Sequence, residues 1–211
     1  MRRLIVEPPL PFDAAAVWAT EEELATVRAF APARAREYLA WRAIVRREIG
    51  RDAAIAYNAA GAPLVTNYPY HIAVSHAPGR VAVAIAEAPC ALDIERIDRN
   101  FGRILPRYLA PDEQALCNDP LFPAIAWCAK ETLYKYAGVP GCDLRHDLRI
   151  DGIRFPAAEP AAGAWPDGLP PTARCGTLFA HLTGRAARNA AEELQLHFYR
   201  EGEWMVVFLF G

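Results

Sequence analysis

Several features that mark common classes of protein are missing from this sequence of 211 residues. No uninterrupted apolar stretch approaches the roughly 18 residues that a membrane-spanning helix requires. Near the N-terminus, Glu7 and the prolines beside it stand where a signal peptide would need its apolar core. We therefore expect a cytoplasmic protein with no membrane partner.

An excess of basic charge is also missing. The 23 Lys and Arg residues are outnumbered by 25 Asp and Glu residues, which gives a formal net charge of −2. Because affinity for phosphate backbones comes mainly from surplus Lys and Arg, we do not expect a nucleic-acid-binding protein.

The cysteine pattern lacks the pairing and spacing of disulfide or zinc frameworks. There are five cysteines, an odd number, and no Cys-x-x-Cys pair occurs among them. Phosphate-cradling Gly-rich loops and His-Glu-x-x-His zinc motifs are absent as well, and no Gly-x-Ser-x-Gly surrounds Ser75. These absences leave zinc-site, P-loop and serine-hydrolase interpretations without support, and the cysteines are expected to be small buried hydrophobic residues.

The composition that is present, 53% apolar and 23% charged residues, is that of an ordinary soluble globular protein. Apolar periodicity and capping signals predict helices and strands in both halves of the chain. The predicted helices begin after Thr20 or cover 32–49, 111–116 and 123–138; the predicted strands cover 71–75, 81–86, 90–95, 193–199 and 204–210. A Pro-, Ala- and Gly-rich stretch over 156–171 predicts a surface loop.

This mixture favours an α+β fold with two subdomains. We place the N-terminal subdomain at 1–90 and the C-terminal subdomain, which contains the predicted loop, at 91–211. No sequence repeat connects the two.

Two acidic residues on a predicted strand are candidates for metal binding. Asp93 and Glu95 are two apart, so both carboxylates project from the same face of the strand. Carboxylates at that spacing can share a hard divalent cation such as Mg²⁺, which also accepts water and substrate phosphate oxygens. A strand with one solvated face produces the same pattern, and that alternative stays open.

The predicted helix over 123–138 carries a second candidate group. Glu131 and Lys135 are four residues apart and Trp127 lies on the same side, one turn earlier. Glu131 could complete a metal site and Lys135 could hold a phosphate, although the same spacing is also that of a simple surface ion pair. Ser75 and His76 end a predicted strand where side chains can point into a cleft, but a lone His is often structural.

The helix over 32–49 is predicted to be amphipathic with a basic outer face. Its arginines include Arg36 and Arg42, which are candidates for holding a phosphorylated ligand, with a solvated face as the alternative. Arg46, Arg47 and Arg51 are candidates for a surface that attracts an acidic partner.

Taken in order, these segments resemble the motif set of the 4′-phosphopantetheinyl transferase superfamily, in its longer single-chain form. The motifs are Ser75-His76, Leu92-Asp93-Ile94-Glu95, the stretch from Tyr108 to Glu113, and Trp127-x-x-Lys130-Glu131-x-x-x-Lys135. The resemblance covers roughly residues 34–136. There are three departures from the family pattern. Gly61-Ala62-Pro63 stands where the family often has Gly-Lys-Pro, Ser75-His76-Ala77 stands where it has Ser-His-Ser, and Ala91 replaces the Gly that often precedes the Asp-x-Glu strand.

The resemblance implies a set of roles. Asp93, Glu95 and Glu131 would bind Mg²⁺; Ser75, His76, Lys135, Arg36 and Arg42 would contact coenzyme A; and Glu131, Lys135 and His76 would be the catalytic residues. It also implies two similar subdomains with the active site in the cleft between them.

The implied reaction transfers the 4′-phosphopantetheine group of coenzyme A to a serine of an acyl or peptidyl carrier protein and releases 3′,5′-ADP. We expect a monomer whose partners are coenzyme A and that carrier. Two rivals are a non-catalytic binding module of the same fold and a metal-dependent phosphohydrolase that uses Asp93 and Glu95. The hydrolase would lack the further His and Asp ligands that two-metal sites usually have.

Overall fold

The computed structural model of the chain describes residues 1–155, 174–187 and 193–211. Two long helices and several short ones lie within these ranges. The helices are α1 (Phe12–Ala16), α2 (Glu21–Val27), α3 (Pro32–Ile49), α4 (Phe101–Tyr108), α5 (Pro111–Gln114) and α6 (Phe122–Ala137). The predicted loop over 156–171 lies outside the described residues. No helix in the described ranges has the length and apolar character to cross a membrane.

Local signals explain where these helices start and stop. The Thr20 side chain accepts a hydrogen bond from the Glu23 backbone N–H at 3.2 Å, and Glu23 accepts one from the Thr20 N–H at 2.9 Å. This capping box satisfies two amide donors that the first turn of α2 would otherwise leave unpaired. Pro32 occupies the first turn of α3, where its missing N–H costs nothing. At the other end of the fold, α6 stops at Gly138, whose φ of 62° is left-handed.

The strands form two main antiparallel sheets and one small hairpin. In chain order they are β1 (Arg2–Glu7), β2 (Ile55–Tyr57), β3 (Pro63–Val65), β4 (His71–Ala77), β5 (Arg80–Ala86), β6 (Cys90–Arg96), β7 (Leu148–Arg154), β8 (Arg174–Leu182), β9 (Leu194–Glu201) and β10 (Trp204–Phe210). The first sheet has the order β1-β5-β4, the second has the order β6-β10-β9-β8-β7, and β2 pairs with β3.

Each sheet packs against one long helix. Ala40, Ile44 and Val45 of α3 are buried in one cluster with Val83 and Ile85 of β5. Helix α6 lies against β6 and β10. A separate and larger buried cluster joins α6 to β7, β8, β9 and β10.

A further buried cluster joins the two sheets. It includes Leu4 and Ala84 from the first sheet, and Leu92, Ile94 and Phe208 from the second. Because β4 is the edge of the first sheet and also lies against β6, the edge of the second, polar side chains from both sheets meet at this boundary.

The structure confirms the mixed α+β class and most of the predicted elements. Helix α3 has the predicted bounds, and the strands predicted over 71–75, 81–86 and 90–95 are the cores of β4, β5 and β6. The helix predicted over 111–116 is shorter, ending at Gln114. Strand β1 was not predicted; it pairs in register with β5 along its whole length.

The expected burial of the cysteines is correct for two of the five. Cys128 and Cys142 are buried, and the other three thiols are partly exposed. All five are free.

The basic outer face predicted for α3 is wrong at Arg42 and Arg46. Their exposed fractions are only 2% and 3%, and both guanidinium groups point toward Glu23 of α2. Arg46 donates to Glu23 through two nitrogens, at 2.6 and 2.9 Å. The sequence pattern treats every arginine as solvated, whereas a buried carboxylate on a neighbouring helix draws these two inward. Arg46 therefore cannot belong to a partner-facing surface.

Candidate active site

The candidate site lies where β4, β6 and α6 meet. Ser75 comes from β4, Asp93 from β6 and Lys135 from α6, so residues 60 positions apart come into hydrogen-bond contact. The alternation of β6 brings Asp93 and Glu95 to one face, as predicted. The four-residue spacing on α6 brings Glu131 and Lys135 to one side of that helix.

Asp93 is the most buried carboxylate of the candidate site, with 5% of its surface exposed. Its Oδ1 atom accepts hydrogen bonds from Ser75 Oγ at 2.8 Å and from Lys135 Nζ at 2.8 Å. Its Oδ2 atom is buried and has no hydrogen-bond partner among the residues that the structure describes. A buried carboxylate oxygen without a donor is costly, and a metal ion is one kind of ligand that would satisfy it.

Lys135 does not form the surface ion pair with Glu131 that helix spacing alone would suggest. Its ammonium group instead donates to Asp93, to Ser75 Oγ at 3.0 Å and to the Leu92 carbonyl at 3.0 Å. All three contacts cross from α6 to the two edge strands. The lysine therefore ties the two sheets and the helix together at the site.

Glu95 is held from the opposite side. The Trp127 indole N–H donates to Glu95 Oε1 at 3.2 Å, and the Arg99 guanidinium pairs with the same oxygen. The Trp127 ring packs edge-on against Tyr108, with ring centroids 5.2 Å apart. The large apolar group predicted beside the carboxylates thus supplies both packing and a hydrogen bond.

Glu131 has a raised pKa. Burial is the main cause, and the negative charge of Asp93 raises the pKa further, with a smaller contribution from Glu95. Lys135 and Arg99 act in the opposite direction. These electrostatic couplings show that the three predicted carboxylates belong to one region of the fold.

The residues predicted to contact coenzyme A fall into two groups. Ser75 and Lys135 are in the cluster around Asp93, whereas His76 is exposed on the next residue of β4 and its Nε2 lies 3.2 Å from Glu37 Oε2 on α3. Arg36, next to Glu37, is exposed.

Arg42 points away from this group. Its nitrogens donate to Glu23, to the Tyr38 carbonyl at 3.0 Å and to the Tyr57 hydroxyl at 2.7 Å. Its guanidinium carbon lies 3.3 Å from the centroid of the Tyr38 ring. A role for Arg42 in ligand binding stays a prediction.

A cavity of about 320 Å³ opens beside Lys135. Its walls are the loop Gly61-Ala62-Pro63, the first half of β4, and the end of α6 with Gly138-Val139-Pro140. The lining is mostly small and apolar, so this cavity suits a flat, weakly polar group whose charged part lies toward Lys135.

The carboxylates of Asp93, Glu95 and Glu131 are the kind of ligand that a hard divalent cation prefers, but the three are not already gathered around one point. Among residues 1–155, 174–187 and 193–211, no three His, Cys, Asp or Glu side chains are gathered as metal ligands. Arg99 and Lys135 neutralise Glu95 and Asp93 in this arrangement. The open Oδ2 of Asp93, close to the half-buried Glu131, nevertheless offers the oxygen chemistry that Mg²⁺ prefers.

Sequence reasoning missed Glu37 and Arg99 as neighbours of the site, and Tyr57 as the partner of Arg42. Each contacts its partner across a tertiary boundary or from an exposed turn. Glu113 and Lys130 stood in the quoted motifs without a role, yet both are buried and paired. Pro111 could have indicated where α5 begins, and Glu113, its third residue, accepts from the Ala110 N–H.

Comparison with known proteins finds a family model that matches part of the chain. A family model described as the 4′-phosphopantetheinyl transferase superfamily matches residues 89–173. The matched segment contains Asp93, Glu95, Glu131 and Lys135. A search of curated proteins finds no match to the chain.

Proposed function

We propose that the protein transfers the 4′-phosphopantetheine group of coenzyme A to a serine of an acyl or peptidyl carrier protein. The match of residues 89–173 to the family model of the 4′-phosphopantetheinyl transferase superfamily supports this proposal. The products are the holo-carrier and 3′,5′-ADP. The observation that supports this most directly is the Asp93 carboxylate, which accepts from Ser75 and Lys135 through one oxygen and leaves the other open.

Asp93, Glu95 and Glu131 are the residues that would hold Mg²⁺. When bound, the ion would neutralise the pyrophosphate of coenzyme A and the charge that develops on the leaving group. Lys135 and Ser75, already beside Asp93, would bind phosphate oxygens through N–H and O–H donors. His76 and Arg36, on the exposed rim formed by β4 and α3, would contact the outer phosphates.

The cavity beside Lys135 would receive the adenine ring. Adenine is flat and weakly polar, and the small residues around Gly61 and Gly138 leave room for it. Since Ala62 stands where the family often has a lysine, this wall supplies no cation, and the phosphate grip would depend on Lys135 and the arginines of α3.

Glu131 is the proposed base for the carrier serine. Its carboxylate would accept the proton directly or through a water molecule. The attacking serine oxygen forms the new bond to the β-phosphorus of coenzyme A, its proton goes to Glu131, and the bond to the leaving 3′,5′-ADP breaks.

We further propose that the chain comprises two similar subdomains, 1–90 and 91–211, which act together as a monomer. Two features support this. Among the described residues, and apart from a short 3-10 helix at Gly184–Ala186, each half has a strand, three α-helices and then four strands in the same order. In each half the first strand pairs with the last. Ligand binding at the boundary would then use β4 from one half and β6 and α6 from the other.

The test is mass spectrometry of apo-carrier proteins incubated with coenzyme A and Mg²⁺. A mass increase equal to one phosphopantetheine group is expected with the wild type. Asp93→Ala and Glu131→Ala should abolish it, since each removes a proposed metal ligand, while circular dichroism stays normal. Undiminished transfer by both folded variants would contradict the assignment of these carboxylates. A carrier that binds but gains no mass would favour the non-catalytic alternative.

A further inference from the structure

A second charged cluster lies beside the proposed site, on a different side of α6. Lys130 has no exposed surface, and its ammonium group lies 2.5 Å from Glu113 Oε1. The same ammonium group also donates to the Leu148 carbonyl. The two residues belong to different helices, and Leu148 begins strand β7, so this contact joins three elements.

Glu113 is nearly as buried as Lys130 and is fully engaged. Its Oε2 atom accepts from the Ala110 backbone N–H at 2.8 Å, and its Oε1 atom accepts from the Ile150 N–H at 2.8 Å. Arg149 approaches Oε2 at 3.4 Å. Glu113 thus connects the start of α5, the middle of α6 and strand β7.

A buried ion pair is a poor way to gain stability. Removing two charges from water costs about as much as their attraction returns, and apolar residues of similar volume often stabilise a protein equally well or better. A pair with good geometry does restrict how the elements can sit, because few arrangements satisfy all of its hydrogen bonds.

The position of Lys130 in α6 makes that restriction relevant to the site. Lys130 directly precedes Glu131, so the two side chains leave the helix about 100° apart. A rotation of α6 by about 10° would move a carboxylate lying about 6 Å from the helix axis by about 1 Å. Metal ligands must keep their distances to within about 0.2 Å.

We propose that Lys130 and Glu113 form a positioning pair that sets the rotation of α6 and thereby aims Glu131 at Asp93. This inference rests on the proposed metal site. Neither residue touches the ligand. Their part is to hold the helix so that its one carboxylate, Glu131, meets the β6 carboxylates in a fixed geometry.

The N-terminal half contains a matched arrangement that serves as a control. Glu23 caps α2 as Glu113 caps α5, is buried, and pairs with cations of the following long helix, Arg42 and Arg46. That pair fixes α3 against α2 and has no contact with α6 in the part of the chain that the structure describes. Glu23→Gln should therefore cost stability without disturbing Glu131.

The experiment measures Mn²⁺ binding by electron paramagnetic resonance, without coenzyme A, at a temperature where every variant is folded. The main variant is Glu113→Gln/Lys130→Met, which removes both charges together and leaves neither buried alone; Lys130→Met is measured beside it. We expect the double variant to unfold within a few degrees of the wild type yet bind Mn²⁺ about tenfold more weakly, the scale of effect seen for groups that orient metal ligands. Glu23→Gln should lower Tm and leave the Mn²⁺ affinity within about twofold.

Unchanged Mn²⁺ affinity in the folded double variant and in Lys130→Met would overturn the inference. Equal weakening by Glu23→Gln would also overturn it, because the effect would then follow stability alone. If the wild type binds no Mn²⁺, the metal site and the inference fail together. If Mn²⁺ binds as expected but no carrier is modified, the transferase proposal alone is contradicted.

Discussion

The two oxygens of the Asp93 carboxylate differ: one accepts hydrogen bonds, and the other is open to a ligand. Its Oδ1 atom takes two hydrogen bonds from Ser75 and Lys135, which hold the carboxylate in one orientation. Its Oδ2 atom is buried without a donor among the described residues. Because these contacts already fix the carboxylate, it would lose little side-chain freedom on binding a cation, and this favours binding.

Glu131 presents the opposite situation, because its ionised form is disfavoured where it lies. Burial and the charge of Asp93 raise its pKa above the ordinary value of 4.5, so the folded protein binds its proton more tightly than the unfolded chain does. The stability of the metal-free protein should therefore fall as the pH rises from 4.5 through the raised pKa.

The first prediction follows from the direction of this pH dependence of stability. Glu131→Gln should raise the Tm of the metal-free protein at neutral pH by about 2 °C, since it removes a disfavoured charge. The difference should disappear at a pH well below 4.5, where the wild-type carboxyl is also neutral. Differential scanning calorimetry across that pH range is the measurement. A lower Tm for the variant at neutral pH would mean that Lys135 and Arg99 outweigh the burial of Glu131.

Among the elements, helix α3 has more distinct faces than its sequence suggests. One side is buried against β5. A second turns Arg42 and Arg46 toward Glu23, and a third leaves Arg36 exposed beside Glu37 and His76. Arginines that the sequence pattern treats alike therefore have different physical roles.

The second prediction separates these roles. Arg36→Glu should leave Tm unchanged but raise the KM for coenzyme A at least several-fold, with a smaller effect on dephospho-coenzyme A, which lacks the 3′-phosphate. Arg42→Glu should instead cost roughly 3–5 kcal/mol of unfolding free energy, because it places a second carboxylate beside buried Glu23. Chemical denaturation and steady-state kinetics provide the two measurements.

Arg154→Glu, on edge strand β7 at the far side of the second sheet, is the matched exposed control. Arg154→Glu should alter neither the unfolding free energy nor the KM for coenzyme A. An Arg36→Glu variant that behaves like this control for both substrates would restore the interpretation of Arg36 as part of a solvated face.

For the whole molecule, the decisive feature is the core shared by the two sheets. Leu4 and Ala84 pack with Leu92, Ile94 and Phe208 in one buried cluster. The Trp204 indole N–H donates to the Pro78 carbonyl at the turn between β4 and β5, which adds a polar contact between the halves. Neither half can lose its structure without exposing apolar surface of the other.

The third prediction is that the two proposed subdomains unfold as one unit. Calorimetry should show a single transition whose van't Hoff and calorimetric enthalpies agree. Fragment 1–90 alone should fail to give dispersed NMR signals, because it lacks the β6 and β10 side chains of the shared cluster. Two resolved transitions, or a folded fragment, would show that the boundary is a docking surface between independent domains.

Much of this protein was determined by its sequence alone. The capping box at Thr20, the bounds of α3 and the strand cores of β4, β5 and β6 follow from local chemistry and periodicity, because hydrogen bonds within a turn and the burial of one face act over a few residues. The ordered motifs from Ser75 to Lys135 predicted the superfamily, and its family model matches residues 89–173.

Only the tertiary structure decided which side chains meet. The sequence did not predict that Lys135 would bond to Asp93 in preference to its helical neighbour Glu131, that Arg42 and Arg46 would turn inward to Glu23, or that Lys130 would be buried against Glu113. In each case the partner lies at least 17 residues away in the chain. The partner of a charged group depends on which carboxylate lies within a few ångströms in a low-dielectric interior, and that distance is set by the packing of helices on sheets.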